Sequence, residues 1–193
     1  LSVGARALEL RTSADEQAAG QDLVEREARI LAAEKQRFLP AWQRFFRVVY
    51  RDNFLRVASI GQDLKASLSS LAPRARAEAV LSWIQGFRYE RTGTLSDLSS
   101  PLRCLAEAAG DCDSRALLYT MLLHHMGLDA VLLVSTRYSH SAVGVGVEGP
   151  GARITAAGRA YVFAEVTDKV ALGLVAKDQA DPTGWIPIVF PRR

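Results

Sequence analysis

Cysteine and histidine are scarce in this chain: two of the first and three of the second in 193 residues. Cys104 and Cys112 are too few for a disulfide framework, and they lack the paired spacing of a zinc site. A bridge between the two would need a suitable geometry across a helix, so free thiols are the expectation. Long apolar runs are absent as well, and none reaches the length of a membrane span. No internal repeat or low-complexity tract stands out. Charge of one sign is missing too: 24 basic and 21 acidic residues, interspersed, leave a net charge of +3. That balance describes a mixed solvated surface and gives no case for nucleic acid or anionic membrane as the main partner. The chain starts at Leu1 without an initiator methionine. This leaves room for a processed start and for an anchor or signal segment upstream.

What is present is a globular composition, 49% apolar, long enough for one sizeable core and a helical appendage. In the first third, Val24, Ala28, Leu31, Lys35, Phe38, Trp42, Phe45 and Val49 recur at steps of four and three. Such a seam predicts an amphipathic helix. Pro40 should split it in two, because proline removes a hydrogen bond and clashes one turn back. An arm packed on its own domain is the favoured reading over a dimerising coiled coil or a stalk. Residues 1–60 are accordingly taken as a helical extension and 61–193 as the main domain.

Shorter helices follow, over Gly61 to Leu71 and Pro73 to Gln85, with Pro73 suited to a first turn. "GFRYERTGTLSDLSS" reads as loop. Ser100 and Pro101 then open another helix, with Gly110 as its stop signal. Downstream the period changes. "DAVLLVST", "SHSAVGVGVE" and "RAYVFAEVTD" read as strands, "GPGARITAAGR" as a connecting loop or hairpin end, and "GWIPIVF" as a final short strand. Helices first and an antiparallel sheet after make the class α+β.

The segment "GDCDSRALLYTMLLHHMG" places Cys112 between two aspartates at the head of an apolar helix that Gly127 closes. A residue in that first turn feels unpaired backbone N–H groups and the positive end of the helix dipole. Both favour thiolate over thiol. Asp111 and Asp113 oppose this by repulsion, and aspartate there also serves as a cap. A nucleophilic cysteine needs a base. His124 and His125 lie about 18 Å along the same helix, at 1.5 Å per residue, and as neighbours they diverge by about 100°. They are expected at the helix's C-terminal end for its dipole, not for catalysis. His140 instead opens an alternating strand and shares a face with Ala142, Gly144 and Gly146, small residues that would leave room beside the imidazole. In "YVFAEVTD" the same alternation puts Glu165 on one face with Tyr161, Phe163 and Thr167. An unpaired carboxylate there is costly, and His140 on a neighbouring strand is the partner that would relieve it. Asp168 competes for the role but stands at the strand's end beside Lys169, where a turn residue is expected.

The order Cys…His…acid, carried by "GDCDSRALL", "YSHSAVGV" and "YVFAEVT", resembles the bacterial transglutaminase-like superfamily within the papain-like cysteine-enzyme fold. "WIQGFRYE" and "SPLRCLAEAAGDC" also look like the region leading into that family's cysteine helix. The likeness covers roughly Pro73 to Val189. Two departures stand out: Ser141, Ala142 and Val143 follow the histidine where Ala-Trp-Val is common, and Glu165 stands where aspartate is usual.

The resemblance implies a nucleophile helix packed on an antiparallel sheet and acyl transfer on an amide of a protein or peptide. Cys112 would attack, His140 would relay the proton, Glu165 would steady the imidazole, and no cofactor is needed. The backbone N–H of Cys112 would meet the oxyanion, with Gln85 a candidate second donor. A retired domain that keeps the fold for binding or scaffolding is the alternative. A metal protein built on Cys112, Asp111, Asp113 and His140 does not match zinc spacing. The missing start and the helical arm fit a cell-envelope or extracytoplasmic location, with a soluble domain as the simpler reading.

Overall fold

The computed structural model describes residues 2–3, 6–34, 38–91 and 97–191. Strands β1 (Ser2–Val3) and β2 (Arg6–Ala7) form a short antiparallel ribbon ahead of the first helix, α1 (Ala14–Ala33). Local chemistry starts α1: the Ser13 hydroxyl accepts from the Glu16 N–H at 3.1 Å, and the Glu16 carboxylate accepts from the Ser13 N–H at 3.0 Å. This reciprocal box satisfies two orphan donors of the first turn. Helix α2 (Phe38–Asn53) follows, so the seam is divided as Pro40 implies. The break lies upstream of the proline, which sits in the first turn of α2, where its missing N–H removes no helical bond. Seam residues Val24, Ala28, Phe45 and Val49 are buried, whereas position Lys35 lies outside the described residues.

Helices α3 (Ala58–Ser67) and α4 (Pro73–Gln85) come next, then the two-residue strand β3 (Arg88–Tyr89) in the stretch expected to be loop, of which 92–96 is not described. Helix α5 (Pro101–Glu107) is capped by the Ser100 hydroxyl, as expected. It does not run to Gly110. Ala108 turns left-handed at φ 47° and ends it. Gly110 belongs to β4 (Ala109–Gly110), which pairs in parallel with β3. Its small size has a packing reason: a Cβ there would stand 2.8 Å from Ser114 Cβ and 3.0 Å from Cys104 Sγ.

Helix α6 (Cys112–His125) is buried on nearly every side, which is why its sequence lacks a polar face. It lies against a five-stranded antiparallel sheet of order β7-β8-β6-β5-β9. The strands are β5 (Ala130–Ser135), β6 (His140–Val145), β7 (Arg153–Ala156), β8 (Arg159–Ala164) and β9 (Ile186–Ile188). Leu132, Val143, Val145, Val162 and Ala164 join the main core with α6. Val131, Leu133, Ala142, Tyr161 and Phe163 form a second cluster with Trp185 on the opposite face. With both faces covered, β5 reads as an unbroken apolar run. The α+β class is therefore realised as a cysteine-headed helix packed on an antiparallel sheet, with helices before it.

One expectation stands in part and one falls. "GPGARITAAGR" does hold a hairpin end, a two-residue turn at Ala157 and Gly158, both at positive φ, but Arg153–Ala156 ahead of it is a strand paired with β8 and not a loop. The small residues of β6 do not leave an open face either. A Cβ at Gly144 would meet Tyr161 Cβ and Val131 Cγ2, each at 2.8 Å, so that space is already filled by neighbouring strands.

Candidate active site

Cys112 is the first residue of α6, and Asp111 is its N-cap. The Asp111 carboxylate accepts from both the N–H and the hydroxyl of Ser114, at 2.8 and 2.5 Å. Burial raises the Asp111 pKa, and the Ser114 bonds pull against that rise. The turn is braced from beneath by Arg115, which is 1% exposed. Its guanidinium donates to the carbonyls of Gly110 and Phe87, at 2.9 and 2.7 Å, and lies 5.5 Å from the Tyr89 ring. One buried cation thus ties β3 and β4 to the start of the cysteine helix.

His140 begins β6, and its neighbour Ser141 donates to Asp113 on α6, pinning the strand to the helix head. The imidazole Nε2–H donates to Glu165 Oε2 at 2.8 Å, and the side chain is also hydrogen-bonded to Cys112. With Nε2 engaged by the acid, Nδ1 is the nitrogen left for sulfur. Glu165 stands one residue past β8. Its Oε1 accepts from the Thr167 N–H at 2.7 Å and from the Thr167 hydroxyl at 2.6 Å. The structure therefore brings Cys112, His140 and Glu165 together. Asp168, the rejected competitor, is exposed in the following turn.

Burial works against a charged His140, but the bonds to Cys112 and Glu165 outweigh it and raise the imidazole to about 10. Burial likewise opposes ionisation of Glu165, yet His140 and Thr167 hold its carboxyl down to about 2. Asp113 goes the other way: burial and the nearby Asp111 push it up to about 6, against Ser141 and His140. Trp185 stands edge-on to His140 at 6.2 Å and to Phe163 at 5.2 Å, packing the histidine against the second cluster of the sheet.

Cys112, 6% exposed, opens onto a cavity of about 300 Å³. Arg91, Asp97, Asp113, Val134 and His140 line it, and so does Trp42 from α2. Among the described residues no group of three or more His, Cys, Asp and Glu side chains is placed to hold a metal ion, and no helix is long and apolar enough to cross a membrane. Cys104 is fully buried and free, and burial pushes its thiol up.

No family model matches the chain, and no curated protein matches it. Solved structures do. A candidate cysteine protease from Cytophaga hutchinsonii aligns over 72% of this chain at 14% identity, with a TM-score of 0.45. This chain spans only 43% of that protein's length. LapG of Legionella pneumophila aligns over 85% of this chain at 15% identity and a TM-score of 0.43, with 81% of LapG covered, or 78% in its EGTA-treated form.

Gln85 is not where an oxyanion donor would be. Its Nε2 donates to the carbonyls of Glu165 and Val170, at 2.8 and 2.9 Å, so both amide hydrogens are engaged in holding the acid's backbone. His124 and His125 are remote from the cavity, as expected, but their partners are specific. His124 Nδ1 accepts from the Tyr50 hydroxyl at 2.8 Å while Nε2 donates to the Ala130 carbonyl at 2.9 Å. His125 stacks on Phe54 at 3.9 Å and donates to its carbonyl at 2.8 Å. Sequence reasoning passed over Arg115, Trp42 and Trp185. The one usable signal was Arg115, the only Lys or Arg in a helix that is largely apolar.

Proposed function

We propose that this protein is a cysteine-dependent acyl-transfer enzyme acting on amide bonds, most simply a peptidase or amide hydrolase of the transglutaminase-like, papain-like type. The observation that carries the reading is the imidazole of His140, held between the Cys112 sulfur and a carboxylate that is itself fixed by two bonds from Thr167. An imidazolium in that place is a donor to a thiolate and a ready acid for a leaving amine. Cys112 sulfur attacks the amide carbonyl, and the carbon–nitrogen bond breaks as His140 gives its proton to the departing amine. Water, deprotonated by His140, then opens the thioester and restores the thiol. The backbone N–H of Cys112, at the first helical position, is free of intrahelical duty and faces the developing oxyanion. Glu165 keeps Nε2 protonated and the ring in its productive orientation.

The experiment is alkylation of Cys112 by iodoacetamide as a function of pH, in a Cys104→Ala background. The expected result is fast reaction persisting down to about pH 6, where an unassisted thiol is almost wholly protonated. His140→Ala should remove that low-pH reactivity, Glu165→Gln should leave part of it, and Cys112→Ala should abolish labelling. An ordinary thiol profile, indifferent to His140→Ala, would overturn the reading in favour of a binding role for the same fold.

A further inference from the structure

The cap that starts the cysteine helix is held by a helix, α1, that carries none of the three reacting groups. The Ser114 hydroxyl has one hydrogen, and that hydrogen goes to Asp111 Oδ1 at 2.5 Å. It is aimed there because a lone pair of the same oxygen is taken by the Ser99 N–H at 2.8 Å. Ser99 is in turn clamped on both sides by one side chain of α1. Gln21 Nε2 donates to the Leu98 carbonyl at 3.3 Å, and Gln21 Oε1 accepts from the Ser100 N–H at 2.8 Å. A continuous hydrogen-bonded path therefore runs from α1, through the backbone at 98–100 and Ser114, to the residue that precedes Cys112.

The surroundings of that clamp are close and polar. A Cβ on Gly20 would meet Asn53 Oδ1 at 3.3 Å and Ser100 Oγ at 3.4 Å. Asn53 is fully buried in α2, donates to the Val49 carbonyl at 3.2 Å, and has an Oδ1 with no hydrogen-bond partner among the described residues. Greasy packing alone would tolerate sliding of one helix on the other. A half-buried seam of directional bonds fixes one position.

We propose that Gln21 is a positioning residue for Cys112, and that α1 is a working part of the active site. This rests on the reading of Cys112 as a nucleophile. Gln21 touches no reacting atom. It sets the backbone at 98–100, which sets the Ser114 hydroxyl, which sets the Asp111 cap and with it the direction of the sulfur toward His140. Displacement of a reacting group by about 1 Å can lower a rate about a hundredfold, so a cap held by this chain of bonds is worth holding.

The test compares wild type with Gln21→Met, which keeps side-chain length and loses the two bonds to the backbone at 98–100 together with a bond to Glu25 on its own helix, each in the full chain with iodoacetamide as the probe. Circular dichroism and a thermal melt establish that the variant is folded. The expected result is Cys112 alkylation slowed about tenfold at pH 6, within the range that misplacement of a reacting group produces. Gln21→Glu keeps the acceptor for the Ser100 N–H but loses the donor to Leu98 and sets a second carboxylate beside Glu25, so it should also slow alkylation. It also serves as the reading if Gln21→Met does not fold. Ser114→Ala completes a cycle: adding Gln21→Met to it should slow alkylation no further, because both changes cut one path. A folded Gln21→Met or Gln21→Glu protein that alkylates at the wild-type rate would overturn the proposal, as would Gln21→Met and Ser114→Ala effects that multiply. Failure of the enzymatic reading shows elsewhere, as a wild-type profile indifferent to His140→Ala.

Discussion

Glu165 is held by more bonds than its partner needs. Its side chain takes three, one from His140 and two from Thr167, and its backbone carbonyl takes a fourth from Gln85. The acid lies beyond the end of β8, where no ladder bond would fix it, so side chains supply the rigidity that the sheet does not. Gln85→Leu removes the donor to two carbonyls at once, and an unsatisfied buried carbonyl costs about 1–3 kcal/mol. The expected outcome is a loss of about 2 kcal/mol, seen as a melting midpoint lower by roughly 4–8 °C. Cys112 alkylation at low pH should also slow, since the acid that orients His140 loses its backbone anchor. An unchanged midpoint would show that solvent satisfies those carbonyls. Strand alternation made the pairing of Glu165 with His140 legible in the sequence. The job of Gln85 was not, because nothing local says which distant carbonyls an amide will meet.

Elements position the groups that residues alone cannot. α2 and α6 lie side by side: Trp42, near the start of α2, lines the cavity at the Cys112 end of α6, while Tyr50 and Phe54 grip His124 and His125 at the other end. In the sheet, β6 carries His140 at one end and Gly144 where β5 and β8 press closest. Gly144→Ala would bring a methyl within 2.8 Å of two packed side-chain carbons on either side. Overpacking of that kind costs about 1–3 kcal/mol, and a denaturant midpoint lowered without a change in slope would record it. A neutral result would mean that β6 can shift, and His140 with it.

Periodicity and caps revealed most elements. Pro73–Gln85 stands as expected, Ser100 caps α5, and Gly127 turns left-handed just after the cysteine helix. The errors share a cause. Gly and Pro in "GPGARITAAGR" suggested a connecting loop or hairpin end, and the hairpin end is there, but they mask the strand ahead of it: Ile154 and Ala156 are buried once β8 exists to pair with them. Likewise the small residues of β6 signal a close approach without naming what approaches, and it is Tyr161 and Val131.

For the whole molecule, the histidine–acid pair predicts how stability varies with pH. The His140 pKa is raised from 6.5 to about 10, so its contribution is full below 6.5 and is lost as pH rises through 10. The Glu165 pKa is lowered from 4.5 to about 2, so its contribution is full above 4.5 and is lost as pH falls through 2. Asp113, raised from 3.8 to about 6, acts with the opposite sign for an acid and weakens the fold as it ionises across that interval. Urea midpoints measured across pH should be highest around pH 5 and decline on the alkaline side. His140→Ala should flatten the alkaline decline. If the decline survives that substitution, another group is responsible for it.

Trp185 and β9 have a consequence in time. β9 closes the sheet beside β5, and Trp185 just before it stands edge-on to His140, although both follow Cys112, His140 and Glu165 in the chain. A nascent polypeptide that has already delivered Cys112 and His140 from the ribosome still lacks the acid and the indole that complete the histidine's surroundings. The sulfur is translated first and armed later. Under the proposed function, such an enzyme stays silent toward its own unfinished copies and toward neighbouring chains until the segment that carries Glu165 and Trp185 has emerged and folded.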